Sequence, residues 1–255
     1  MYPWIGPVPT YSIFYILSML SHFLICYFIA RKLMLCHRVW IVVSICYMLG
    51  MTVGAKMLFD IQNSQFNLKA LLSIKHYMSG GVWGGLLAYY ILALPLALIL
   101  SKKRRKAIDL VAMAIPIPWI FAKIGCFFNG CCYGKESSGP WAMAFPEGAR
   151  GAPPNILLHP TQIYEILVVV CVLIVFKKLN YDRWRGAMLL WFLALYGTGR
   201  AATEFFRGDT EHHLVIGSLT LSQLICLIAA GVSIILLFLW RRYVRNDMLD
   251  ESVSI

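Results

Sequence analysis

The stretch YGTGRAATEFFRGD, residues 196–209, carries three regularly spaced charged side chains next to a strongly apolar segment. Arg200, Glu204 and Arg207 stand at positions i, i+4 and i+7, so a helix would place all three on one face. A charged side chain at membrane depth costs about 2.5–3.5 kcal/mol on insertion scales, and such residues usually face a partner or a wet cavity. The row keeps one net positive charge after internal pairing, which favours an anionic ligand such as a phosphate. A structural ion pair that joins two helices is the alternative.

The composition of the whole chain is that of a membrane protein. Of its 255 residues, 60% are hydrophobic and 14% are charged, whereas about a quarter of the residues in a soluble domain are charged. The net charge of +11 lies mostly in short Lys and Arg clusters between apolar segments, as the positive-inside rule expects of cytoplasmic loops. We therefore predict one all-α integral-membrane domain over residues 1–255, with no nucleic-acid partner.

Seven apolar segments approach the ~20 residues that a helix needs to cross a bilayer. They cover approximately residues 11–30, 40–59, 81–100, 107–124, 161–176, 187–206 and 219–240. The amino terminus has no basic residues ahead of its first apolar run, so it does not resemble a cleavable signal peptide. If it starts outside, every dense basic cluster falls on the cytoplasmic side. The sequence thus predicts a multi-pass protein with seven transmembrane helices, an outer amino terminus and a cytoplasmic carboxyl terminus. Pro116 and Pro118 predict a kink or break in the fourth span.

The remaining basic residues indicate an outward-facing basic site. They fall near or beyond the outer end of a span: Lys56, Lys69, Lys75, Lys123, Lys135, Arg150, Arg200 and Arg207. Three glycine- or proline-containing stretches, residues 76–85, 123–135 and 158–165, are expected on the same side. Lys123 and Asn129 can donate hydrogen bonds to phosphate or glycerol oxygens. In the third stretch Pro160 fits a helix start, and His159, Gln162 and Glu165 can orient charged neighbours there.

Three cysteines cluster in residues 125–158, which we predict to form an extracytoplasmic loop region. Cys126, Cys131 and Cys132 lack the C-x₂-C pairing of structural zinc sites, and no histidine follows at ligand distance, so the spacing does not favour a metal. Adjacent cysteines rarely bridge to each other because disulfide geometry forbids it without strain. A bridge from Cys126 to either of the others stays open on an oxidising outer face. No cofactor is indicated.

In their order along the chain, these motifs resemble the bacterial prolipoprotein diacylglyceryl transferases. The resemblance rests on HPTQIYE (159–165), GRAATEFFR (199–207), the loop at 125–134, SGGVWG (79–84) and LTLSQ (219–223). It implies transfer of the diacylglyceryl group from phosphatidylglycerol to the lipobox cysteine of a prolipoprotein signal peptide, in the bacterial inner membrane. The product would be a thioether, and glycerol phosphate would leave.

The resemblance also implies roles for individual residues. By motif position, Arg200 and its pairing acid Glu204 are expected in catalysis. The residues expected to bind substrate are Lys123, Asn129, Gly130, Arg207, His159, Tyr11, Gly80 and Gly81. Two positions depart from the family pattern. The family's arginine before the loop is Lys123 here, which keeps the charge but loses the bidentate fork. The histidine that usually precedes the double glycine, the family's candidate base, is Ser79 here, and His76, one helical turn earlier, could substitute for it; Ser79 and His76 are therefore the other catalytic candidates.

The loop cysteines replace residues that are usually asparagine and acidic in this family, so two other functions remain open. One is a related glyceryl or acyl transferase with a different acceptor. The other is a non-enzymatic protein that binds or transports an anionic lipid. Transporters often contain internal repeats with paired broken helices, and this sequence has no recognisable repeat of that kind.

Overall fold

The structure is a computed structural model that describes residues 4–6, 8–62, 82–149, 151–209, 214–216 and 219–253. These residues are mostly helical. By length and composition, four described segments can cross a membrane, namely Thr10–Lys32, His37–Met57, Arg104–Asn129 and Leu221–Arg242, and a shorter apolar helix covers Gly84–Leu100. The predicted all-α membrane protein is therefore confirmed, while the full count of seven spans stays a prediction.

The described secondary structure is mainly helical, with a short antiparallel strand pair before the first helix and others in the connections between later helices. The helices are α1 (Thr10–Lys32), α2 (His37–Leu49), α3 (Ala55–Gln62), α4 (Val82–Leu100), α5 (Arg104–Met113), α6 (Pro116–Asn129), α7 (Thr161–Lys178), α8 (Met188–Glu204) and α9 (Leu221–Val253). A π-helical turn, Gly50–Gly54, links α2 to α3. The antiparallel pairs are β1 (Trp4–Ile5) with β2 (Val8–Pro9), β3 (Met143–Ala144) with β4 (Leu157–Leu158), and β5 (Leu214–Ile216) with β6 (Leu219–Thr220).

Proline positions explain two of the helix boundaries. The helix break between α5 and α6 confirms the predicted interruption, and Pro116 is the first residue of α6, where its missing N–H leaves no hydrogen bond unmade. Pro160 immediately precedes α7, in agreement with the predicted helix start. The helix α6 continues to Asn129, so the long loop begins after that residue rather than at Gly125.

The chain divides into two compact units, one formed by Met19–Ile115 and the other by Met1–Ser18 with Pro116–Ile255. In the first unit, the π-helical turn packs closely against α4. A Cβ atom built on Gly50 would lie 2.7 Å from the carbonyl oxygen of Gly85 and 2.8 Å from the amide nitrogen of Tyr89. The small-residue pattern GMTVG therefore does permit the close helix packing expected of it.

We predict that Gly50→Ala destabilises the protein. The added methyl group meets the backbone of α4, which cannot move aside as a flexible side chain could, and overpacking of this kind costs about 1–3 kcal/mol. Helix propensity alone favours alanine over glycine by about 1 kcal/mol. A net loss of stability in Gly50→Ala would therefore come from packing. The control is Gly231→Ala in α9, where an added Cβ meets no atom within 4 Å. Thermal unfolding in detergent should show a lower midpoint for Gly50→Ala only, and equal midpoints for both variants would contradict this account.

The second unit holds the charged residues that the sequence singled out. Within it, α8 packs against both α7 and α9, and α6 packs against α7. Lys123 on α6, Glu165 on α7 and Arg200 on α8 are all buried between these helices. Three helices thus deliver their charged side chains to one place.

Candidate functional site

The carboxylate of Glu165 lies at the centre of the buried charged cluster. Lys123 donates a hydrogen bond from Nζ to Glu165 Oε1 at 2.8 Å. Arg200 Nε and Arg207 Nη1 lie 3.6 Å and 3.7 Å from the same oxygen, and the Tyr196 hydroxyl donates to Oε2 at 3.1 Å. The Glu165 side chain is 1% exposed, so its charge depends on these partners rather than on water. One buried carboxylate therefore holds three cations together.

Glu204 forms a second contact with Arg200, as the i, i+4 spacing predicted. Arg200 Nη1 pairs with Glu204 Oε2, and Thr220 Oγ1 donates to Glu204 Oε1 at 3.1 Å. Thr220 also begins α9 through a reciprocal capping box. The backbone N–H of Gln223 donates to Thr220 Oγ1 at 3.1 Å, and that of Thr220 donates to Gln223 Oε1 at 2.9 Å. The LTLSQ motif thus positions the start of α9 against Glu204.

The prediction that Arg207 lies on the same helix is wrong. The helix α8 ends at Glu204, and Arg207 instead forms an isolated β-bridge with Gly134 of the loop. Its Nε and Nη2 donate a bidentate pair of hydrogen bonds to Asp209 at 2.7 and 2.8 Å. The loop contact turns the backbone out of helical geometry and still brings the guanidinium to Glu165.

The positive charge that the sequence predicted is balanced in the complete cluster. The cations are Lys123, Arg200 and Arg207, and the carboxylates are Glu165, Glu204 and Asp209. Burial raises the pKa of Asp209 above its ordinary value, although the adjacent Arg207 opposes this. Protonation of Asp209 would leave the cluster with one net positive charge.

The loop after α6 is fixed against the start of α7. Gly130 has φ +73° and Cys132 has φ +62°, so the chain turns sharply in the left-handed region that glycine tolerates best. Gln162 Nε2 donates to the Cys131 carbonyl at 2.7 Å, and the Thr161 hydroxyl donates to the Cys132 carbonyl. Gln162, expected to orient charged neighbours, holds this backbone instead.

The loop gathers the three cysteines that the sequence placed near one another. The sulfur atoms of Cys126, Cys131 and Cys132 all lie within 4.8 Å of one another, and the Asn129 side chain hydrogen-bonds to the Cys131 thiol. Hydrogen bonds from the other two thiols, together with the charges of Lys123 and Arg207, hold the pKa of Cys132 well below its ordinary value. All eight cysteines, each within the described residues, are free thiols.

His159 and Tyr11, two of the predicted substrate-binding residues, contact different parts of the structure. His159 Nδ1 is 2.9 Å from the Tyr164 hydroxyl and accepts a longer hydrogen bond from Trp141 Nε1 at 3.3 Å. His159 thus belongs to an aromatic group, and within the described residues the ion pairs of Glu165 are with Lys123, Arg200 and Arg207. Tyr11 on α1 packs against Gly125 of α6, one residue before Cys126 of the thiol cluster.

Four of the predicted site residues, His76, Ser79, Gly80 and Gly81, lie outside the described residues. Their roles stay predictions. The structure adds Tyr196, Asp209 and Thr220 to the site. The sequence did not indicate them as binding or catalytic residues. The available signals were the T-x-x-Q capping box at residues 220–223 and the proximity of Asp209 to Arg207 in the chain.

Comparison with known proteins shows similarity over most of the chain. A family model described as prolipoprotein diacylglyceryl transferase matches residues 4–239. Proteins named phosphatidylglycerol–prolipoprotein diacylglyceryl transferase are similar to this chain. That of Clostridium tetani is 32% identical over 198 residues, which cover 73% of this chain and 74% of the relative. That of Nitratidesulfovibrio vulgaris is 33% identical over 196 residues, covering 74% and 71%. That of Campylobacter jejuni is 25% identical over 239 residues, covering 86% and 84%.

Proposed function

The chain belongs to the prolipoprotein diacylglyceryl transferase family, and from this premise we propose that it transfers the diacylglyceryl group of phosphatidylglycerol to the lipobox cysteine of prolipoproteins. The observation that carries the site assignment is the convergence of Lys123, Arg200 and Arg207 on the single buried carboxylate of Glu165. Cations gathered in a buried, apolar protein suit a ligand with an apolar body and an anionic phosphate. Phosphatidylglycerol is such a ligand.

The proposed chemistry moves negative charge from sulfur to phosphate. The acceptor thiol loses its proton, and the thiolate attacks the glyceryl carbon that carries the phosphate ester. The new C–S bond forms as the C–O bond breaks, and the bonding electron pair leaves with the phosphate oxygen of glycerol phosphate. Fixed cations beside that oxygen stabilise the charge as it develops, and they do so most strongly where water is excluded.

Arg207 and Arg200 are proposed to hold the phosphate. Arg207 donates from Nε and Nη2 to Asp209 in a bidentate arrangement, and a guanidinium can donate to two phosphate oxygens with the same geometry. Arg200 is oriented by Glu204 and Glu165, and Lys123 adds a point charge at the same Glu165 oxygen, Oε1.

The other predicted site residues are assigned to substrate binding or to proton transfer. Asn129, Gly130, His159, Tyr11, Gly80 and Gly81 are assigned to the surrounding substrate shell. His76 and Ser79 are the candidates to accept the thiol proton, and an imidazole titrates closer to neutral pH than a serine hydroxyl.

We also propose that the chain crosses the bacterial inner membrane seven times, with its amino terminus outside. Besides the four long spans and the short apolar helix, α7 and α8 have the length to cross or nearly cross a bilayer. The charged residues Glu165, Arg200 and Glu204 of these two helices are buried inside the protein. Lys177 and Lys178 at the far end of α7 agree with a cytoplasmic end there.

The transfer reaction can be tested with purified protein, phosphatidylglycerol vesicles and a lipobox peptide. We expect the peptide to gain the mass of one diacylglyceryl unit, and a peptide with serine in place of the lipobox cysteine to gain nothing. An active relative assayed in parallel establishes that the vesicles and peptide are competent. Absence of a mass gain under those conditions would refute this substrate pair.

A further inference from the structure

The three clustered thiols of Cys126, Cys131 and Cys132 have no part in the proposed transfer, yet the fold brings them together. Cys126 lies in the last turn of α6, and the backbone N–H of Cys131 donates to the Cys126 carbonyl at 3.2 Å. The left-handed conformations of Gly130 and Cys132 then turn the chain back, which places all three sulfur atoms within 4.8 Å of one another. The spacing of the three cysteines in the sequence did not predict a metal-binding arrangement, because the C-x₂-C pattern is missing.

We propose that Cys126, Cys131 and Cys132 bind one thiophilic metal ion of the zinc(II) or copper(I) class through their three sulfur atoms. With Zn–S bonds of about 2.3 Å, tetrahedral ligands stand about 3.8 Å apart. The three sulfur atoms lie within 4.8 Å of one another, about 1 Å beyond that value at most, so small rotations of the side chains complete the site. Three thiolates leave a fourth position open in a tetrahedral site and fill a trigonal one, and sulfur ligands select these ions over magnesium or calcium.

The loop is already held in the conformation that the metal requires. Two hydrogen bonds fix its backbone: Gln162 donates to the Cys131 carbonyl, and Thr161 donates to the Cys132 carbonyl. Cys132 keeps a φ of +62°, which L residues with a side chain rarely adopt. A backbone held in a rare conformation is retained where the surroundings fix it, and such positions cluster at functional sites.

The charged side chains next to the three cysteines favour the metal-bound form of the site. Three thiolates and one divalent ion carry a net charge of −1, and a monovalent ion leaves −2. Lys123 and Arg207 both interact electrostatically with Cys132, so permanent positive charges stand beside the anionic complex. Lys123, Arg200 and Arg207 together balance Glu165, Glu204 and Asp209, so the zinc-loaded site and the cluster carry one net negative charge between them.

The test measures bound metal rather than transferase activity, so its result is independent of the proposed reaction. The reduced protein is incubated with zinc(II), desalted, and its zinc content is measured. We expect one zinc per chain, and at least a tenfold lower content in the triple variant Cys126→Ser/Cys131→Ser/Cys132→Ser. The matched control replaces Cys36, Cys46 and Cys171 with serine, none of which belongs to the cluster, and it should bind as much zinc as the unchanged protein.

A second measurement does not depend on the folding of any variant. In the unchanged protein, zinc should slow maleimide alkylation of the three clustered thiols at least tenfold, as read by peptide mass spectrometry, and leave the exposed Cys36 and Cys171 unaffected. Equal zinc in the cluster and control variants, or alkylation of the clustered thiols that zinc does not slow, would overturn the proposal. A disulfide from Cys126 that keeps zinc out of the protein as isolated, with no zinc uptake after reduction, would overturn it as well.

Discussion

Glu165→Gln is expected to lower both the stability of the protein and its transfer activity steeply. The variant leaves Lys123, Arg200 and Arg207 around a neutral amide in a buried site. Removing one partner of a buried ion pair costs about 3–5 kcal/mol, because the other charge stays uncompensated, and here three cations share the lost partner. Thermal unfolding in detergent should show the loss of stability. Transfer by the fraction that remains folded should fall at least about a hundredfold, or about 2.7 kcal/mol in the activation free energy.

The controls separate the charge of Glu165 from its size and from a general effect of replacing a carboxylate. Glu136→Gln removes an exposed carboxylate from the same loop region and should change neither measurement. The double variant Glu165→Gln/Lys123→Met removes one of the uncompensated cations and should recover part of the stability without restoring transfer. If Glu165→Gln unfolds at the temperature of the unchanged protein, the cations do not depend on this carboxylate and the description of the site is incorrect.

The features that the sequence predicted well are those set by neighbouring residues. The apolar length of residues 11–30 and 161–176 predicted α1 and α7 to within two residues at each end. Pro116 predicted the helix break, because the loss of a backbone donor acts locally. The Arg200–Glu204 pair followed from side chains four residues apart on one helix.

The features that the sequence did not predict depend on contacts between distant segments. Arg207 leaves the helix because the backbone of residues 206–208 hydrogen-bonds to residues 133–135, and helical spacing contains no information about that contact. Glu165 was placed in a polar network but not at its centre, since its meeting with Lys123 depends on how α6 packs against α7. The thiol cluster required the left-handed turn at Gly130 and Cys132, which the residue spacing alone does not reveal.

Arg200→Lys tests whether the site needs a guanidinium or only a positive charge. Arg200 faces two carboxylates through different nitrogen atoms, Nε toward Glu165 and Nη1 toward Glu204. A lysine carries a single ammonium group and cannot reproduce this fork, although it keeps the charge. We expect a modest loss of stability, because the buried carboxylates keep a cation between them. Transfer should fall at least about a hundredfold, about 2.7 kcal/mol, because a lysine held between two carboxylates has fewer N–H groups left to direct at the phosphate where charge develops.

Two further Arg/Lys exchanges are compared with Arg200→Lys. Arg183→Lys changes an exposed arginine outside the cluster and should keep full activity. Lys123→Arg introduces the fork at the position where family resemblance expects an arginine, and it should keep or raise the transfer rate if that position also faces the phosphate. The decisive comparison is between kcat and the KM for phosphatidylglycerol. A fall confined to kcat assigns Arg200 to the transition state, whereas a rise confined to KM assigns it to lipid binding. An Arg200→Lys variant with unchanged kcat and KM would show that a point charge suffices and that the paired carboxylates serve the fold alone.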